Sequence, residues 1–393
     1  MNSDNQVVYA IDPATGKKNW ELGLPYPMDT SSMGTIHIYN PSPMLYNGMV
    51  YVATGVRGTD GTPNDTLYKI DAKTGTLIKK ITVTPETSFF IYATPVADGK
   101  LIYLAGSNGS LYAIDTGTYA TVWTFTAEAG ATFVSSPVVA NGKVFIASTS
   151  GHVYAIDKTT GPDGSGYPIW DWPGNGVPST ACFVSSPAIA AGTSGSDTMY
   201  VFIGGANDSN MYCFYQKPNT PTTPPQVGEI RWTYKAKGNI FSSPAAYAGT
   251  CIFGCNDFHI YCLDTFINPN PPYLQTVPQA RWIDSARSEV YSSPFAYNQV
   301  VYVASKDYRL YAYNIINGGL KWSFATNGAI RSSPIAYKGK VYIGSYDKSL
   351  YAIDTATGTM KWSFPIGGQM SCSPVIDDLS GKSYNSGISG YTN

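Results

Sequence analysis

The 393-residue chain has little charge and no long apolar run. Only 13% of its residues are charged, the formal net charge is −1, and Lys and Arg form no cluster. Neutralising phosphate groups takes concentrated positive charge, so this composition argues against a nucleic-acid partner. No apolar stretch approaches the ~18 residues of a transmembrane helix, and a strand pattern starts soon after Met1 in place of a signal peptide. We therefore expect no transmembrane segment.

The low charge also bears on location. A composition poor in charge and rich in Tyr, Thr, Ser, Asn and Gly is more usual outside the cytoplasm than inside it. We therefore expect an extracytoplasmic protein, whether periplasmic, at the cell surface or secreted, whose signal peptide is absent from this chain.

Residues and motifs for catalysis or metal binding are scarce as well. The chain has three His and six Cys, with no adjacent Cys pair and no CxxCH, HExxH or GxSxG motif. The cysteines fall at packing positions of the strand pattern, so free thiols are expected rather than a disulfide framework or a zinc site. The sequence predicts no metal site and no catalytic residue. A hydrolase or lyase site built from residues far apart in sequence stays open.

Turn residues and tyrosine, by contrast, are abundant. The chain has 39 Gly, 27 Pro and 31 Tyr, and its short apolar runs are separated by turn signals, which predicts an all-β fold. The clearest repeat is Ser or Thr followed by Pro at the head of a strand, where the missing N–H of proline removes no ladder bond. Eight such anchors occur: Ser42-Pro43, Thr94-Pro95, Ser136-Pro137, Ser186-Pro187, Ser243-Pro244, Ser293-Pro294, Ser333-Pro334 and Ser373-Pro374.

Residues 331–364 give the clearest copy of the repeating unit. Four strand patterns follow one another, SSPIAY, KVYIGS, SLYAID and MKWSF, with turn residues such as Lys338-Gly339 and Thr357-Gly358 between them. Such a unit is an antiparallel meander. One sheet of this size cannot bury its apolar faces alone, so neighbouring copies must cover them.

The two ends of the chain each carry part of a unit. Residues 7–22 hold a third and a fourth strand pattern, and residues 373–393 hold a first and a second. We predict an all-β, eight-bladed β-propeller of four-stranded antiparallel blades, one domain over residues 1–393, closed by a blade shared between the N- and C-termini. The predicted blades are approximately 42–81, 93–125, 135–172, 185–234, 242–283, 292–324, 332–364, and 372–393 together with 5–22.

The motif AxDxxTGxxxW makes a family resemblance specific. Complete copies run from Ala10 to Trp20 and from Ala352 to Trp362. On these residues the whole chain resembles the pyrroloquinoline-quinone (PQQ) repeat propellers, which include quinoprotein alcohol dehydrogenases and the outer-membrane assembly lipoprotein BamB. The resemblance implies that the tryptophan packs between adjacent blades, with Lys79 the one departure. The tryptophans with this expected docking role are Trp20, Trp123, Trp170, Trp232, Trp282, Trp322 and Trp362.

The resemblance leaves two functions to weigh. A quinoprotein dehydrogenase would hold PQQ and Ca²⁺ in the central channel with arginines, a catalytic Asp and an adjacent Cys pair, and this chain lacks the Cys pair. A tricarboxylate cofactor needs several cations, whereas Arg57, Arg287 and Arg331 lie in separate, distant repeats. We therefore favour a monomeric, non-catalytic scaffold without a cofactor, which recognises a protein or a glycan through its loop face and channel mouth. A PQQ-dependent alcohol or sugar dehydrogenase with Ca²⁺ is the alternative.

The residues just before each anchor are the predicted binding site. They should begin the innermost strands near the channel mouth, where an aromatic ring could stack on a ligand or, alternatively, fill the space between blades. Arg331 breaks an otherwise apolar series and would be unfavourable to bury unpaired, so we expect it to contact the partner, with Glu289 or Asp284 as an ion-pair mate. The predicted contact residues are Tyr39, Tyr92, Phe133, Phe183, Phe241, Tyr291, Arg331, Arg57, Arg287 and Glu289.

Overall fold

The computed structural model describes residues 7–24, 41–57, 63–83, 91–162, 166, 168–173, 179–191, 199–216, 226–265, 277–377 and 383–385. Over these residues the protein is all-β. Seven sheets of antiparallel meander strands, numbered here as blades 1 to 7 in chain order, contain 28 of the 33 described strands. No helix of the described residues has the length and apolar character needed to cross a bilayer.

Each blade has four strands in sequence order, the first innermost and the fourth outermost. Blade 1 is Met44–Tyr46, Met49–Arg57, Pro63–Asp71 and Leu77–Thr82; blade 2 is Val96–Asp98, Leu101–Ala105, Ser110–Asp115 and Thr121–Thr126. Blade 3 is Val138–Ala140, Lys143–Ala147, Val153–Asp157 and Trp170–Trp172; blade 4 is Ala188–Ala191, Met199–Gly204, Asn210–Gln216 and Glu229–Lys235. Blade 5 is Ala245–Tyr247, Thr250–Gly254, His259–Asp264 and Ala280–Ser285; blade 6 is Phe295–Tyr297, Val300–Ala304, Arg309–Asn314 and Leu320–Ala325. Blade 7 is Ile335–Tyr337, Lys340–Gly344, Ser349–Asp354 and Met360–Pro365.

Three further pairings complete the described strands. Gln226–Val227 adds a parallel fifth strand outside the fourth strand of blade 3. Val7–Ile11 pairs with Lys18–Gly23 in an N-terminal hairpin, and Val375–Asp377 pairs with Ser383–Asn385 in a C-terminal hairpin.

Local sequence explains the meander. The first two strands of blade 3 are joined by Asn141 and Gly142, both with positive φ, 45° and 73°, as a two-residue hairpin turn requires. The second strand, Lys143–Ala147, is buried at every position because neighbouring blades cover both of its faces. Outer strands such as Thr121–Thr126 have alternate residues buried over part of their length, because successive side chains point to opposite faces and only one face is covered.

Tryptophans of the fourth strands pack on glycines of the following blade. Gly358 has a φ of 71°, and a Cβ there would lie 2.7 Å from the ring of Trp322. The indole N–H of Trp322 donates to the carbonyl of Thr355 at 2.9 Å. The same glycine contact pairs Trp20 with Gly75, Trp123 with Gly161, Trp282 with Gly318, and Trp362 with Gly16.

Two of the predicted docking tryptophans lie differently. Trp170 packs on Gly228, outside the AxDxxTG turn that holds the glycine elsewhere. Trp232 is buried against Phe202, and its indole nitrogen has no hydrogen-bond partner among the described residues.

A closed ring of hydrogen bonds surrounds the axis. The backbone N–H of each Ser/Thr-Pro anchor residue donates to the side-chain hydroxyl of the next anchor at 2.8 to 3.1 Å, and Ser373 donates to Ser42. The eight anchors predicted from the sequence therefore form one continuous belt.

The number of blades is where the prediction was wrong. The described residues form seven four-stranded blades, not eight, and the two terminal hairpins are separate two-stranded sheets. Both hairpins lie between blades 7 and 1. For the N-terminal hairpin, Trp362 of blade 7 donates to Pro13, and Trp20 donates to Ala72 of blade 1. The C-terminal hairpin contacts the first strands of blades 7 and 1. No ladder joins Val7–Ile11 to Ser383–Asn385 within the described segments, so the shared blade is absent there.

Candidate functional site

The tight turns between second and third strands lie on the same face as the lead-in segments, which are the residues that precede each anchor. Backbone hydrogen bonds tie each turn to the lead-in of its own blade: Asn256 to Asn239 at 3.0 Å, Lys306 to Glu289 at 3.1 Å, and Tyr346 to Ala329 at 2.9 Å. We call this side of the propeller the turn face. It surrounds the end of the propeller axis at which the innermost strands begin.

Two lead-in positions have different roles. In every lead-in that the structure describes, the residue three before the anchor is fully buried, and Phe133 and Phe183 occupy this position with 0% exposure. Phe133 packs edge-on against Tyr154, and Phe183 packs in the same way against Tyr212. These two residues therefore belong to the core and do not reach the channel surface, contrary to the sequence-based expectation. The residue two before the anchor is only partly buried, and Val134 takes that position in blade 3.

The partly buried position forms a continuous stack in blades 5 to 7. Phe241 and Tyr291 stack with ring centroids 5.5 Å apart and an interplanar angle of 24°. The guanidinium carbon of Arg331 lies 5.5 Å from the centre of the Tyr291 ring and 5.4 Å from that of Tyr346. We call these four residues, Phe241, Tyr291, Arg331 and Tyr346, the mouth stack. A guanidinium at this distance from an aromatic ring is attracted by the electrostatic field of the ring face.

Tyr346 is a member that sequence reasoning missed. It lies in the turn Tyr346-Asp347-Lys348 of blade 7, two strands away from Arg331 in sequence. The usable signal was its alignment with Lys306 and Asn256, which occupy the same turn position in blades 6 and 5.

Glu289 lies beside the stack and pairs with Lys306, not with Arg331 as the sequence predicted. Lys306 forms an ion pair with Glu289 at 3.1 Å, and its ammonium lies 5.3 Å from the centre of the Tyr291 ring. The Ser288 hydroxyl donates to Glu289 at 2.6 Å and, with the backbone amide of Glu289 and Lys306, lowers the pKa of that carboxyl to about 2. Glu289 is therefore an anion held by Lys306. Asp284, the other expected mate, accepts a hydrogen bond from the amide of Ser285.

The remaining predicted contact residues are spread over the molecule. Tyr92 is half-buried in the lead-in of blade 2. Arg287 is exposed on the turn face, and its backbone N–H donates to Asp307 at 2.8 Å. Arg57 ends the second strand of blade 1, and its side chain is outside the described part of the structure. Tyr39 lies outside the described residues altogether. The structure thus brings together Phe241, Tyr291, Arg331 and Glu289.

Aspartates fix the turns of this sector. Asp307 accepts hydrogen bonds from the hydroxyl of Tyr311 at 2.6 Å and from the amide of Arg287. Asp347 is bound in the same way by Tyr351 at 2.8 Å and by the amide of Asn327 at 2.9 Å. Burial, together with the neighbouring Asp347 carboxylate, raises the pKa of Tyr351 to about 12. These carboxylates therefore serve the turns and are not available to a ligand.

Two aromatic residues stand out at the turn tips. Phe258 and Tyr308 have φ values of 72° and 71°, with 46% and 50% of their surface exposed. At the same position blades 2 and 3 have Gly109 and Gly151. A bulky residue in the left-handed region is strained, and such strain is typical of functional positions.

Comparison with known proteins agrees with this fold. Residues 279–381, which span blades 6 and 7, match the family model described as "Outer membrane protein assembly factor BamB". The search of curated proteins finds no match. The fold is that of an all-β propeller, and the family-model match supports the expected resemblance to the PQQ-repeat propellers.

Three solved structures show the same architecture. The computationally designed Ika8 protein aligns with a TM-score of 0.63 and 14% identity over 85% of this chain and 90% of its own. BamB from Moraxella catarrhalis aligns with a TM-score of 0.61 and 15% identity over 85% and 90%. A europium-containing methanol dehydrogenase aligns with a TM-score of 0.61 and 13% identity over 85% and 79%. At these identities the likeness concerns the fold.

Proposed function

We propose that this protein is a non-catalytic binding or assembly scaffold that recognises a protein or a glycan through its turn face and channel mouth, outside the cytoplasm and as a monomer. The observation that carries the proposal is the mouth stack, in which Arg331 lies between two tyrosine rings on rigid blades. The matched segment 279–381 includes Tyr291, Arg331 and Tyr346, and its description names an assembly factor of the outer membrane.

The chemistry of the stack suits recognition. Tyrosine and arginine are enriched at interfaces and dominate the binding energy of many of them, and tyrosine supplies a large contact area with only two rotatable side-chain bonds. The rings of Phe241 and Tyr291 are already stacked in the free protein, so little conformational entropy is lost when a partner binds. A rigid propeller that presents such side chains at one end therefore favours binding over chemistry.

The quinoprotein alternative fits the described residues less well. PQQ carries three carboxylates, and the half-buried lead-in position supplies one cation, Arg331, among the described blades. Within the described residues no group of three His, Cys, Asp or Glu side chains is arranged to hold a metal ion. The donor set therefore does not match a PQQ–Ca²⁺ site, and we derive no reaction step through one.

Site-specific photo-cross-linking tests the scaffold function. A benzophenone amino acid replaces Tyr291, and in a matched variant it replaces Val134, the residue at the same strand position in blade 3. In the source cells we expect a discrete cross-linked product from position 291 and none from position 134. Equal products from both positions, or none from either, would contradict the proposal.

A second experiment addresses the alternative. PQQ and Ca²⁺ are added to the purified protein, and the melting temperature and dye-linked alcohol oxidation are measured. A thermal shift accompanied by turnover would establish the dehydrogenase and overturn the scaffold function.

A further inference from the structure

The exposed residues of the turn face form an arc across blades 5 to 7. Hydrogen bonds join its members in order. The backbone N–H groups of Lys237, Arg287 and Asn327 donate to the turn carboxylates that precede Phe258, Tyr308 and Lys348. Phe258 in turn accepts from Ala286, the neighbour of Arg287, at 2.7 Å, and Tyr308 accepts from Thr326, the neighbour of Asn327, at 2.8 Å. All members of the arc are solvent-exposed. We call the following residues the outer arc: Lys237, Phe258, Arg287, Tyr308, Asn327 and Lys348.

The outer arc alternates cations with aromatic rings from Lys237 to Tyr308 and continues with Asn327 and Lys348. Successive members are separated by one hydrogen bond and one or two residues, so their spacing is on the order of 6–8 Å. Side chains on one face of an extended peptide repeat every ~7 Å. The spacing of the arc therefore suits an extended chain laid along it.

The charge of this sector is positive where it is accessible. The lead-ins 236–241, 286–291 and 326–331 and the turns 255–259, 305–309 and 345–349 contain six Lys or Arg and four carboxylates. Asp257, Asp307 and Asp347 are engaged by tyrosine hydroxyls and backbone amides, and Glu289 is paired with Lys306. The cations Lys237, Arg287 and Lys348, by contrast, are exposed on the arc.

We propose that the outer arc binds an extended, acidic peptide segment of a partner protein, with Asp or Glu side chains at the cations and apolar side chains on Phe258 and Tyr308. This inference rests on the proposed scaffold function and names the chemistry of its partner. Complementary charge supplies register and association rate, and the aromatic tips supply the apolar contacts. Two strained aromatic residues on adjacent blades favour a partner with apolar side chains, which a protein segment provides and a polyuronate lacks.

Fluorescence anisotropy with defined probes tests the inference. The probe is a labelled decapeptide of alternating Glu and Leu, compared with the same peptide carrying Gln in place of Glu. Arg287→Glu/Lys348→Glu reverses two cations of the outer arc. Lys17→Glu/Lys73→Glu makes the same charge change at exposed residues of the AxDxxTG turns, away from the turn face, and is the control.

We expect the full chain to bind the Glu-containing peptide, and the arc variant to weaken binding at least tenfold while the control variant binds as the wild type does. The Gln-containing peptide should bind at least tenfold more weakly than its Glu counterpart. Equal loss in both charge variants, or no binding at millimolar peptide, would refute the inference.

An oligogalacturonate probe separates the other possible occupant. Arc-dependent binding of oligogalacturonate without peptide binding would overturn the inference in favour of an anionic glycan. If no probe binds while position 291 still cross-links a partner in cells, the acidic-segment inference fails and the scaffold function stands.

Discussion

Blades 2 to 4 and blades 5 to 7 share one framework and differ on the turn face. In blades 2 to 4 the lead-ins and turns contain no Lys or Arg, and their tips are Gly109, Gly151 and Ser209. In blades 5 to 7 the same positions carry the mouth stack and the outer arc. Because strands, anchors and docking glycines recur in both sectors, the repeat accounts for the fold and the departures from it point to the site.

Blade 3 adds a second kind of departure. In blades 5 to 7 the turn aspartate binds the tyrosine of the third strand, whereas in blade 3 that turn residue is Ser150. The carboxylate comes instead from Glu128, which accepts hydrogen bonds from Tyr154 and Ser150. Buried Asp171 lies opposite Tyr154, and one of its oxygens has no hydrogen-bond partner among the described residues. Blade 3 therefore combines a buried carboxyl, Asp171, with a half-buried one, Glu128, whereas blades 5 to 7 expose cations.

The largest expected effect tests whether the framework is shared. Gly161→Ala in blade 3 and Gly358→Ala in blade 7 each place a Cβ within 2.7 Å of a docking tryptophan at a positive φ. We expect each to lower the free energy of unfolding by about 3 kcal/mol, measured by urea denaturation, because overpacking and backbone strain add. Gly339→Ala, at a positive φ with nothing within 4 Å, is the control for backbone strain alone. A loss in one blade only would break the equivalence of the two sectors.

The next effect concerns the buried acid of blade 3. Burial, with a smaller effect of the Glu128 charge, raises the pKa of Asp171 to about 6 from its ordinary 3.8. The folded state therefore holds the proton more tightly, so the stability that this group contributes is full below pH 3.8 and is lost as the pH rises through 6. Asp171→Asn should therefore be more stable than the wild type at pH 7.5, with a free energy of unfolding higher by about 2 kcal/mol, and should differ little from it at pH 4.

The control for that comparison is Asp307→Asn in blade 6, whose carboxylate accepts hydrogen bonds from Tyr311 and Arg287. It should destabilise at pH 7.5. Equal pH dependence of the two variants in chemical denaturation would remove the distinction between the sectors.

A smaller effect concerns binding at the mouth stack. Arg331→Met removes the cation from between Tyr291 and Tyr346 and retains an apolar stem. Cross-linking from position 291 should fall about tenfold, which corresponds to about 1.4 kcal/mol. Val134→Met, at the matching position of blade 3, should leave the yield unchanged. An undiminished cross-linking yield in Arg331→Met would mean that Arg331 does not contribute to partner binding.

The smallest effect should be a gain in stability. Replacing Phe258 or Tyr308 with Gly relieves the left-handed backbone and should raise the free energy of unfolding by about 1 kcal/mol each. The same variants should weaken binding of the Glu and Leu decapeptide, because the apolar contacts are lost. Gly109→Ala in blade 2 should instead lower the free energy of unfolding, since its Cβ would lie 2.7 Å from the carbonyl oxygen of Ala131. Loss of stability in both tip variants would mean that the rings serve the fold.

The sequence predicts the repeat well because each strand, turn and anchor is local. The sequence misplaces Phe133 and Phe183, because a shift of one residue in a lead-in exchanges a core position for a partly exposed one. An aromatic residue is compatible with either position, so its type does not tell them apart. Tyr346 and the pairing of Glu289 with Lys306 depend on which turn approaches which lead-in. The predicted shared blade, which the described parts of the termini do not form, depends on long-range pairing that local patterns do not specify.

The belt of anchor hydrogen bonds has a consequence for connectivity. Since Ser373 donates to Ser42 as every other anchor donates to its successor, the belt has no first or last member. The belt therefore does not depend on which blade comes first in the sequence, and other blade orders along the chain are compatible with it. A circularly permuted chain, with the two ends joined and a new opening cut at the exposed Thr180 between blades 3 and 4, should rebuild the same belt and melt in a single transition.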